Sequence, residues 1–239
     1  MITKGIILAG GSGTRLRPFT KFTSKHLLPV YDEPLIYFPL KTLLQMGIQD
    51  ILLITAPHHA DNFLELLGYG NEFGARIEYK IQEEPNGIAA GLLLAENFAH
   101  GENVALVLGD NIFFDDLSSA GKDFSAGAEI FITKVEDPER FGVVELNGKN
   151  VITLEEKPKN PKSSLVQTGL YLYDTTVFDK IRNLKPSPRN ELEITDLNNL
   201  YLSEKTLKAH ILENEWIDAG TFESLLRGAE MVRKLKNIP

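Results

Sequence analysis

Short apolar runs alternate with amphipathic stretches along the first half of the chain. Three of the runs are rich in β-branched residues and predict buried parallel strands; they cover 2–9, 50–55 and 103–108. Elsewhere apolar residues recur at helical spacing, and these predicted helices cover 34–46, 61–67 and 87–98. Pro39 lies inside the first helix and is expected to kink it or delay its start. This strand–helix–strand alternation predicts right-handed crossovers and a doubly wound sheet.

The second half follows a different pattern, in which several strands succeed one another before helices return. Its predicted strands are joined by short turns such as Asn147-Gly148 and cover 129–135, 142–146, 151–155 and 166–173. Predicted helices follow at 175–183, 194–204 and 221–236. The last helix is expected to bury its apolar set, which consists of Leu225, Leu226, Met231 and Leu235.

The domain organisation follows from these patterns, because no repeat, low-complexity tract or long linker divides the sequence. We predict an α/β fold with a Rossmann-like, three-layer architecture, in which helices flank a mixed, mostly parallel sheet. The expected unit is a single domain over 1–239, with a nucleotide-type half at 1–115 and a mixed half at 116–239.

Composition narrows the class of protein. Apolar residues make up 43% of the chain and charged residues 24%, which is ordinary for a globular enzyme. No apolar run reaches the roughly 20 residues that a membrane-spanning helix needs, and the N-terminal stretch lacks the shape of a signal peptide. The absence of cysteine excludes disulfides and thiolate metal sites. We therefore expect a cytoplasmic protein with no membrane attachment.

The net charge of −8 discourages nucleic-acid binding, yet the charge is unevenly distributed. Residues 1–31 hold five basic side chains, whereas all 33 acidic residues come later. The five are Lys4, Arg15, Arg17, Lys21 and Lys25. Because local potential matters more to a small ligand than net charge does, this segment favours a small polyanion. A chance cluster of solvated basic residues is the alternative.

A glycine-rich loop with two arginines follows the first predicted strand. It reads G-G-S-G-T-R-L-R-P over 10–18, and its glycines let backbone N–H groups come close to phosphate oxygens. The loop is neither a Walker loop nor a dinucleotide fingerprint, because Arg15 stands near the place of the third glycine. A guanidinium there offers forked, permanently charged donors to phosphoryl oxygens. The pattern predicts phosphate binding, with a flexible turn as the alternative.

Two aspartates are candidates for a metal site. Asp110 follows the third predicted strand, at the edge where open parallel sheets place their ligands. Its carboxylate either caps the next segment or supplies an oxygen ligand to Mg²⁺. Asp218 is the natural second carboxylate.

Gln82 is a candidate for recognition of a base. It stands at the end of the segment I-E-Y-K-I (77–81), and its amide matches the N3–H and O4 edge of a pyrimidine. An ordinary exposed glutamine is the alternative.

Seven further segments, spread over the chain, carry recognisable sequence. They are S-K-H-L-L-P-V (24–30), G-D-N (109–111), D-P-E-R-F-G-V-V (137–144), E-E-K-P (155–158), T-G-L-Y (168–171), E-L-E-I-T-D (191–196) and W-I-D-A-G-T (216–221). Each is weak alone, but together with the loop, and in this order, they are specific. The chain resembles the sugar-1-phosphate nucleotidyltransferases, most strongly the branch that transfers a thymidylyl group to glucose 1-phosphate.

The resemblance implies a Mg²⁺-dependent reaction of dTTP with α-D-glucose 1-phosphate, which gives dTDP-glucose and pyrophosphate for dTDP-sugar pathways such as that to dTDP-rhamnose. It implies that Asp110 and Asp218 hold the metal, and that Arg15, Lys25 and Lys157 are catalytic. The half at 1–115 would then bind the nucleotide, and the half at 116–239 the sugar.

The resemblance also assigns binding residues by position. Those on the nucleotide side are Leu8, Gly10, Gly11, Ser12, Gly13, Thr14, Gln82, Gly87, Asp110 and Asn111. Those on the sugar side are Gly142, Glu156, Lys157, Gln167 and Tyr171. Lys25 is expected on the triphosphate and Lys157 on the sugar phosphate. Glu156 is expected to accept a sugar hydroxyl, and Asn111 to contact ribose or phosphate.

Some features depart from the family pattern. Gln82 is followed by Glu83-Glu84-Pro85 where Pro-x-Pro is usual, Phe141 replaces a tyrosine, and Gln167 stands where valine is usual. Longer members continue after 216–221 into part of an inter-subunit regulatory site, so the resemblance does not carry over feedback regulation or a tetramer. It implies a homo-oligomer, for which we expect a dimer.

Three other functions stay open on the sequence. A uridylyltransferase is one, since thymine and uracil differ by a single methyl group. An enzyme for another hexose 1-phosphate is the second. The third is a regulatory subunit that binds nucleotide sugars without turnover.

Overall fold

A nine-stranded mixed sheet lies at the centre of the protein. The computed structural model describes residues 2–236; residue 1 and residues 237–239, which the predicted domain includes, lie outside the described part. The strands, in chain order, are β1 (Lys4–Ala9), β2 (Pro29–Val30), β3 (Glu33–Pro34), β4 (Asp50–Thr55), β5 (Arg76–Ile81), β6 (Val104–Leu108), β7 (Asn111–Phe113), β8 (Ala128–Lys134), β9 (Gly142–Asn147), β10 (Asn150–Glu156), β11 (Leu165–Tyr173), β12 (Leu207–Ile211) and β13 (Trp216–Asp218). The helices are α1 (Tyr37–Gln45), α2 (Ala60–Leu67), α3 (Ile88–Leu93), α4 (Glu96–Ala99), α5 (Val177–Arg182), α6 (Ile194–Ser203) and α7 (Phe222–Leu235).

The strand order places a crevice beside β1. The large sheet runs β10-β9-β11-β6-β1-β4-β5, and β8 and β12 extend it from the other side of β11. Strand β1 is parallel to both β4 and β6, whereas β11 is antiparallel to β6, β8 and β9. The chain leaves β1 toward β4 and later returns to β1's other side as β6. Open sheets bind ligands at such a switch point, at the carboxyl ends of the strands.

Helices cover both faces of the sheet, as the alternation of side chains along β1 requires. Ile6 and Leu8 face one layer, which is built mainly from α3, α5 and α6. Ile7 and Ala9 face the other, which contains α1 and α2. All four side chains are buried. The predicted three-layer α/β architecture with a mixed sheet is confirmed.

The predicted long elements are present, with changes at their ends. Helix α1 begins at Tyr37 and not at Pro34, so its start is delayed as Pro39 suggested. The predicted helix over 87–98 is divided into α3 and α4 by a turn at Leu94 and Ala95. The sequence patterns did not identify β5 and β12 of the large sheet, the two-residue strands β2 and β3, or the three-residue strands β7 and β13.

Part of the core predicted for the last helix is wrong. Leu225 and Met231 pack against a small apolar cluster that includes Ile112 and Ile217. Leu226 is 63% exposed and Leu235 is 67% exposed. Leu226 follows Leu225 directly and therefore points about 100° away from it around α7. Leu235 is the last residue of that helix.

A two-stranded ribbon outside the large sheet connects the two halves of the chain. Strand β13 pairs with β7 in antiparallel register, and Asp218 lies opposite Asn111. The apolar side chains of Ile112 and Ile217 anchor the ribbon against α7. No helix among residues 2–236 is long and apolar enough to span a membrane.

Candidate active site

The glycine-rich loop follows β1 at the crevice. The Gly13 carbonyl accepts hydrogen bonds from Thr20 Oγ1 at 2.7 Å and from the backbone N–H of Leu16 at 2.9 Å, so the loop closes into a short 3-10 turn over Thr14–Leu16. Leu16 is completely buried, whereas the Arg15 side chain is 56% exposed. The buried leucine anchors the turn, and its neighbour Arg15 therefore stays available to a ligand.

Lys25 and Asp110 form a buried ion pair beside this loop. The Ser24 hydroxyl accepts the backbone N–H of His26 and so caps the turn that carries Lys25. Gly11 lies against the Lys25 ammonium group. Burial alone would raise the pKa of Asp110, but the Lys25 ammonium outweighs it and holds that pKa well below its usual range. Asp110 is therefore a carboxylate whose charge is balanced within the protein.

The next residue after Lys25, His26, is buried beside this ion pair. Its ring is buried, and Nδ1 lies 2.9 Å from the Ser24 hydroxyl. Burial, and then the nearby charge of Lys25, lowers the pKa of His26 to about 3, so the imidazole is neutral. The sequence analysis had not singled out this histidine.

The β7–β13 ribbon brings Asp218 to the same place. The backbone N–H of Ala219 donates to the Asp110 carbonyl at 2.8 Å, which joins the two aspartate segments directly. Asn111 Nδ2 donates to Asp110 Oδ1 at 3.0 Å, and its Oδ1 accepts from Gly169 N at 2.8 Å and Trp216 Nε1 at 2.7 Å. The buried Asn111 side chain thus binds together the segments around Asp110; its predicted contact with ribose or phosphate stays a prediction.

Asp218 lies among opposing charges. Arg15 Nη2 is 4.0 Å and Arg140 Nη2 is 3.8 Å from Asp218 Oδ2. Burial, and then the charge of Asp110, raises the pKa of Asp218, while Lys25, Arg15 and Arg140 act in the opposite direction. A carboxylate held in this way gains from a cation placed between it and Asp110.

The donor set fits Mg²⁺. This ion commonly takes one or two carboxylates and completes its shell with water and substrate phosphates. Asp110 and Asp218 place two carboxylates, which are hard oxygen donors, in one cavity with Arg15 of the loop. Within residues 2–236 no cluster of three acidic or histidine side chains offers an all-protein metal cage. The arrangement therefore suits a metal that is held jointly with a phosphate ligand.

A cavity of about 330 Å³ is lined by these aspartates and also by Glu156 and Lys157. Glu156 is the last residue of β10, opposite Gly142 of β9. Lys157 follows in a left-handed backbone conformation, with φ of 44°, and its N–H donates to the Phe141 carbonyl at 2.9 Å. Lys157 Nζ lies 3.4 Å from Glu156 Oε1. An acceptor and a cation are therefore presented side by side.

Arg189 adds a second cation that the sequence analysis missed. Its Nη2 lies 3.1 Å from Glu156 Oε1 and 2.9 Å from both carboxylate oxygens of Glu193. Arg189 also lines the cavity. The residue lies two positions before the E-L-E-I-T-D segment, but an isolated arginine in a polar loop carries no signal of its own.

Gly142, Gln167 and Tyr171 line the same cavity. A Cβ atom on Gly142 would lie 2.4 Å from Gln167 Nε2, so a larger residue here would force the Gln167 amide to shift. Burial, followed by the charges of Glu156 and Asp110, raises the pKa of Tyr171 far above its usual value. Its hydroxyl is therefore neutral.

The residues predicted to bind the base lie beside this cavity and do not line it. Gln82 donates from its side chain to Asn86 Oδ1 at 3.2 Å, and its amide lies against Gly10. Gly87 has φ of 109° and packs against the backbone of Leu192, where a Cβ would come within 2.4 Å of the carbonyl oxygen. Base recognition by Gln82 and Gly87 stays a prediction.

The structure brings most of the predicted residues together. The cavity is lined by Arg15, Asp110, Asn111, Gly142, Glu156, Lys157, Gln167, Tyr171 and Asp218. Lys25 and Gly11 adjoin it through Asp110, and Gly10 adjoins Gln82. Leu8 is buried in β1, and Ser12 and Thr14 belong to the loop. Arg140, Trp216 and Thr195 are further residues at the site that had been identified only as parts of sequence segments.

Comparison with known proteins agrees with this geometry. The family model described as nucleotidyl transferase matches residues 4–234. A glucose-1-phosphate thymidylyltransferase from Neisseria meningitidis serogroup A is 49% identical to this chain. The alignment is 242 positions long and covers 98% of this chain and 84% of the relative.

Two solved structures are similar to this protein in fold. A candidate glucose-1-phosphate thymidylyltransferase from Bacillus anthracis, in complex with a sucrose, superimposes with a TM-score of 0.92 at 47% identity, over 96% of this chain and 95% of that one. A UDP-glucose pyrophosphorylase complexed with UDP-glucose shares the fold, with a TM-score of 0.85 at 24% identity over 98% of this chain and 100% of that one. The chain therefore belongs to the nucleotidyl transferase family and is a relative of the glucose-1-phosphate thymidylyltransferases.

Proposed function

We propose that this nucleotidyltransferase transfers a thymidylyl group from dTTP to α-D-glucose 1-phosphate, with Mg²⁺ as its cofactor. The products are dTDP-glucose and pyrophosphate. The names of the curated relatives support this choice of base and sugar.

One observation carries the proposal: a single cavity is lined by two separate sets of charged side chains. Arg15, Asp110 and Asp218 suit a nucleoside triphosphate with its metal. Glu156 beside Lys157 suits a ligand that has both a hydroxyl and a phosphate, as a sugar 1-phosphate does. A site that bound only one of the two substrates would not need both groups.

The chemistry needs no protein nucleophile. An oxygen of the sugar phosphate attacks the α-phosphorus of the triphosphate, and the bond from that phosphorus to the α–β bridging oxygen breaks. Arg15 stabilises the charge that develops on the leaving pyrophosphate, since a preorganised cation favours the transition state over the ground state. Lys157 holds the attacking phosphate in line, and Arg189 fixes the Glu156 carboxylate beside it.

Asp110 and Asp218 are the residues that would hold Mg²⁺. When bound, the ion neutralises charge on the triphosphate and polarises the α-phosphoryl group. Lys25 keeps Asp110 ionised before any metal arrives, and its ammonium lies close enough to the loop to contact phosphate afterwards. The catalytic contribution of the protein is therefore positioning and charge neutralisation.

Several wider assignments belong to the same proposal. Residues 1–115 would bind the nucleotide and residues 116–239 the sugar, within one domain. Gln82 would read the pyrimidine edge and reject cytosine, whose N4 and N3 reverse the donor and acceptor pattern. We propose the cytoplasm as the compartment and a homodimer as the assembly, which sedimentation equilibrium would test.

A pyrophosphate-release assay tests the reaction. The purified protein is incubated with dTTP, UTP or CTP, each with glucose, galactose or mannose 1-phosphate, with and without EDTA. The expected result is release that is fastest with dTTP and glucose 1-phosphate and that EDTA abolishes. If pyrophosphate release is fastest with UTP, uracil and not thymine is the base that the enzyme uses. If no pair of substrates gives release, the result favours a regulatory subunit that binds nucleotide sugars.

A further inference from the structure

A relay of buried hydrogen bonds ends on Glu156. The Tyr173 hydroxyl donates to Asn198 Oδ1 at 2.7 Å, and Asn198 Nδ2 donates to Gln167 Oε1 at 2.9 Å. Gln167 Nε2 donates to Thr195 Oγ1 at 2.6 Å, and the Thr195 hydroxyl donates to Glu156 Oε2. Three elements, β11, α6 and β10, are thereby linked through side chains alone.

The direction of this relay is determined by its end. A carboxylate only accepts, so Thr195 must donate to Glu156 and must accept from Gln167. Gln167 is then oriented with its NH₂ group toward Thr195, and its carbonyl must accept from Asn198. If the Gln167 amide were turned the other way, its oxygen would face the Thr195 oxygen, which would put two acceptors together. Its NH₂ group would face the Asn198 NH₂ group, which would put two donors together.

The relay is buried as far as Thr195, and only its end at Glu156 faces the cavity. Gln167 is 5% exposed, Thr195 is 1% exposed, and both Asn198 and Tyr173 are buried. Burial raises the pKa of Tyr173 well above its usual value, so the first donor keeps its proton throughout the ordinary pH range. A buried polar network with every member paired is rigid, because no solvent partner replaces a bond that breaks.

We infer that Gln167 is a positioning residue for Glu156 and thereby contributes to the choice of sugar. Arg189 holds one oxygen of the Glu156 carboxylate and Thr195 holds the other. Gln167 orients Thr195, and its amide also forms the wall next to Gly142. This inference rests on the proposed function, in which Glu156 accepts a hydroxyl of the sugar.

A fixed acceptor discriminates more sharply than a mobile one. When a substrate lacks the matching hydroxyl, a carboxylate held on both oxygens still faces the pocket, and the lone pair that the hydroxyl would have filled is left unpaired, which costs binding. Without the relay, Glu156 is free to turn away and the penalty falls. Loss of Gln167 should therefore weaken discrimination between sugars more than it weakens turnover.

The first test is a thermal double-mutant cycle on the whole protein. Gln167→Met keeps the length of the side chain and removes both bonds, and Thr195→Val removes one hydroxyl at nearly constant shape. Each variant is expected to lower Tm, and the double variant should fall by less than the combined losses, because both single changes break the same bond. Strictly additive losses would overturn the relay.

The second test compares kcat/KM for glucose 1-phosphate with that for its 2-, 3-, 4- and 6-deoxy analogues. Glu156→Gln identifies the hydroxyl involved, as the position at which discrimination collapses. Gln167→Met should lower the selectivity ratio at that same position by about tenfold, which corresponds to ~1.4 kcal/mol. KM should rise more than kcat falls, and Thr195→Ser, which keeps the hydroxyl, should retain the wild-type ratio.

Thr42→Val is the matched control. Thr42 is also buried, but its hydroxyl bonds to the Phe38 carbonyl inside α1, away from the cavity. If Gln167→Met loses Tm as this control does and keeps all selectivity ratios within twofold of wild type, Gln167 is merely structural and the inference fails. A wild-type protein that turns over no sugar 1-phosphate would overturn the proposed function as well.

Discussion

Replacement of Gly142 by alanine puts a methyl group into the wall of the sugar cavity. The new Cβ would lie 2.4 Å from Nε2, 2.8 Å from Cδ and 2.9 Å from Cγ of Gln167. All three distances are well inside normal van der Waals separation. The amide cannot simply turn away, because Thr195 and Asn198 hold it at 2.6 and 2.9 Å.

The cost follows from the two ways in which the structure can respond. If the amide stays, the overpacked contact costs roughly 1–3 kcal/mol. If it moves, two buried hydrogen bonds are lost at about 1 kcal/mol each. Either response gives a destabilisation of about 2 kcal/mol, and for a chain of this length that lowers Tm by roughly 4–8 °C.

Scanning calorimetry of four proteins separates this mechanism from a general intolerance of alanine. They are the wild type, Gly142→Ala, Gln167→Ala and the double variant. Alanine at position 167 removes all three of the atoms that the new methyl group would meet. The double variant should therefore be more stable than additivity predicts, by at least about 1 kcal/mol. Additive losses would show that the clash with Gln167 is not the reason for glycine at 142.

Three other predictions concern the metal pair, the loop and the base side. Burial and the charge of Asp110 raise the pKa of Asp218 in the folded protein. Between the pKa of the unfolded chain and this raised pKa, the folded protein keeps the carboxyl proton of Asp218 that the unfolded chain releases. The free energy of unfolding therefore falls as pH rises through that range. Asp218→Asn should thus raise the Tm of the metal-free protein at about pH 8, leave it unchanged below about pH 4, and abolish pyrophosphate release; an unchanged Tm at pH 8 would contradict the electrostatic argument. Arg15→Ala should lower kcat by about 10²–10³-fold while calorimetric nucleotide affinity changes far less, and undiminished turnover would remove Arg15 from the mechanism. Gly87→Ala should destabilise far more than Gly47→Ala, since both have positive φ but only the first would collide with backbone, that of Leu192. Equal urea midpoints for the two variants would mean that the positive φ, and not the collision with Leu192, causes the loss of stability.

The sequence predicted the parts of the site that depend on local pattern. The loop and Asp110 each follow a buried apolar strand, and parallel strands end at a common edge, so their proximity could be expected. Lys25 was expected on the triphosphate side, and it lies beside the loop, paired with Asp110 in the interior.

Other parts depend on contacts that no local pattern records. Strands β7 and β13 are three residues long and show no usable periodicity, although they set the position of Asp218. Arg189 is an exposed arginine in a loop and acquires meaning only from Glu156 beside it. Gln167 departs from the family pattern, and its partners on α6 become visible only when the chain is folded.

The β7–β13 ribbon also dictates when the site is completed during synthesis. Trp216 and Asn111, which it joins, are 105 positions apart in the chain. A nascent chain that has emerged only as far as β6 and Asp110 already contains the glycine-rich loop and the Lys25–Asp110 pair, but it has no Asp218 and no sugar side. Closing so long a loop is a late and slow event in folding. Asp218 is therefore the last of the two aspartates to reach its place, and it does so only after most of the chain has been made.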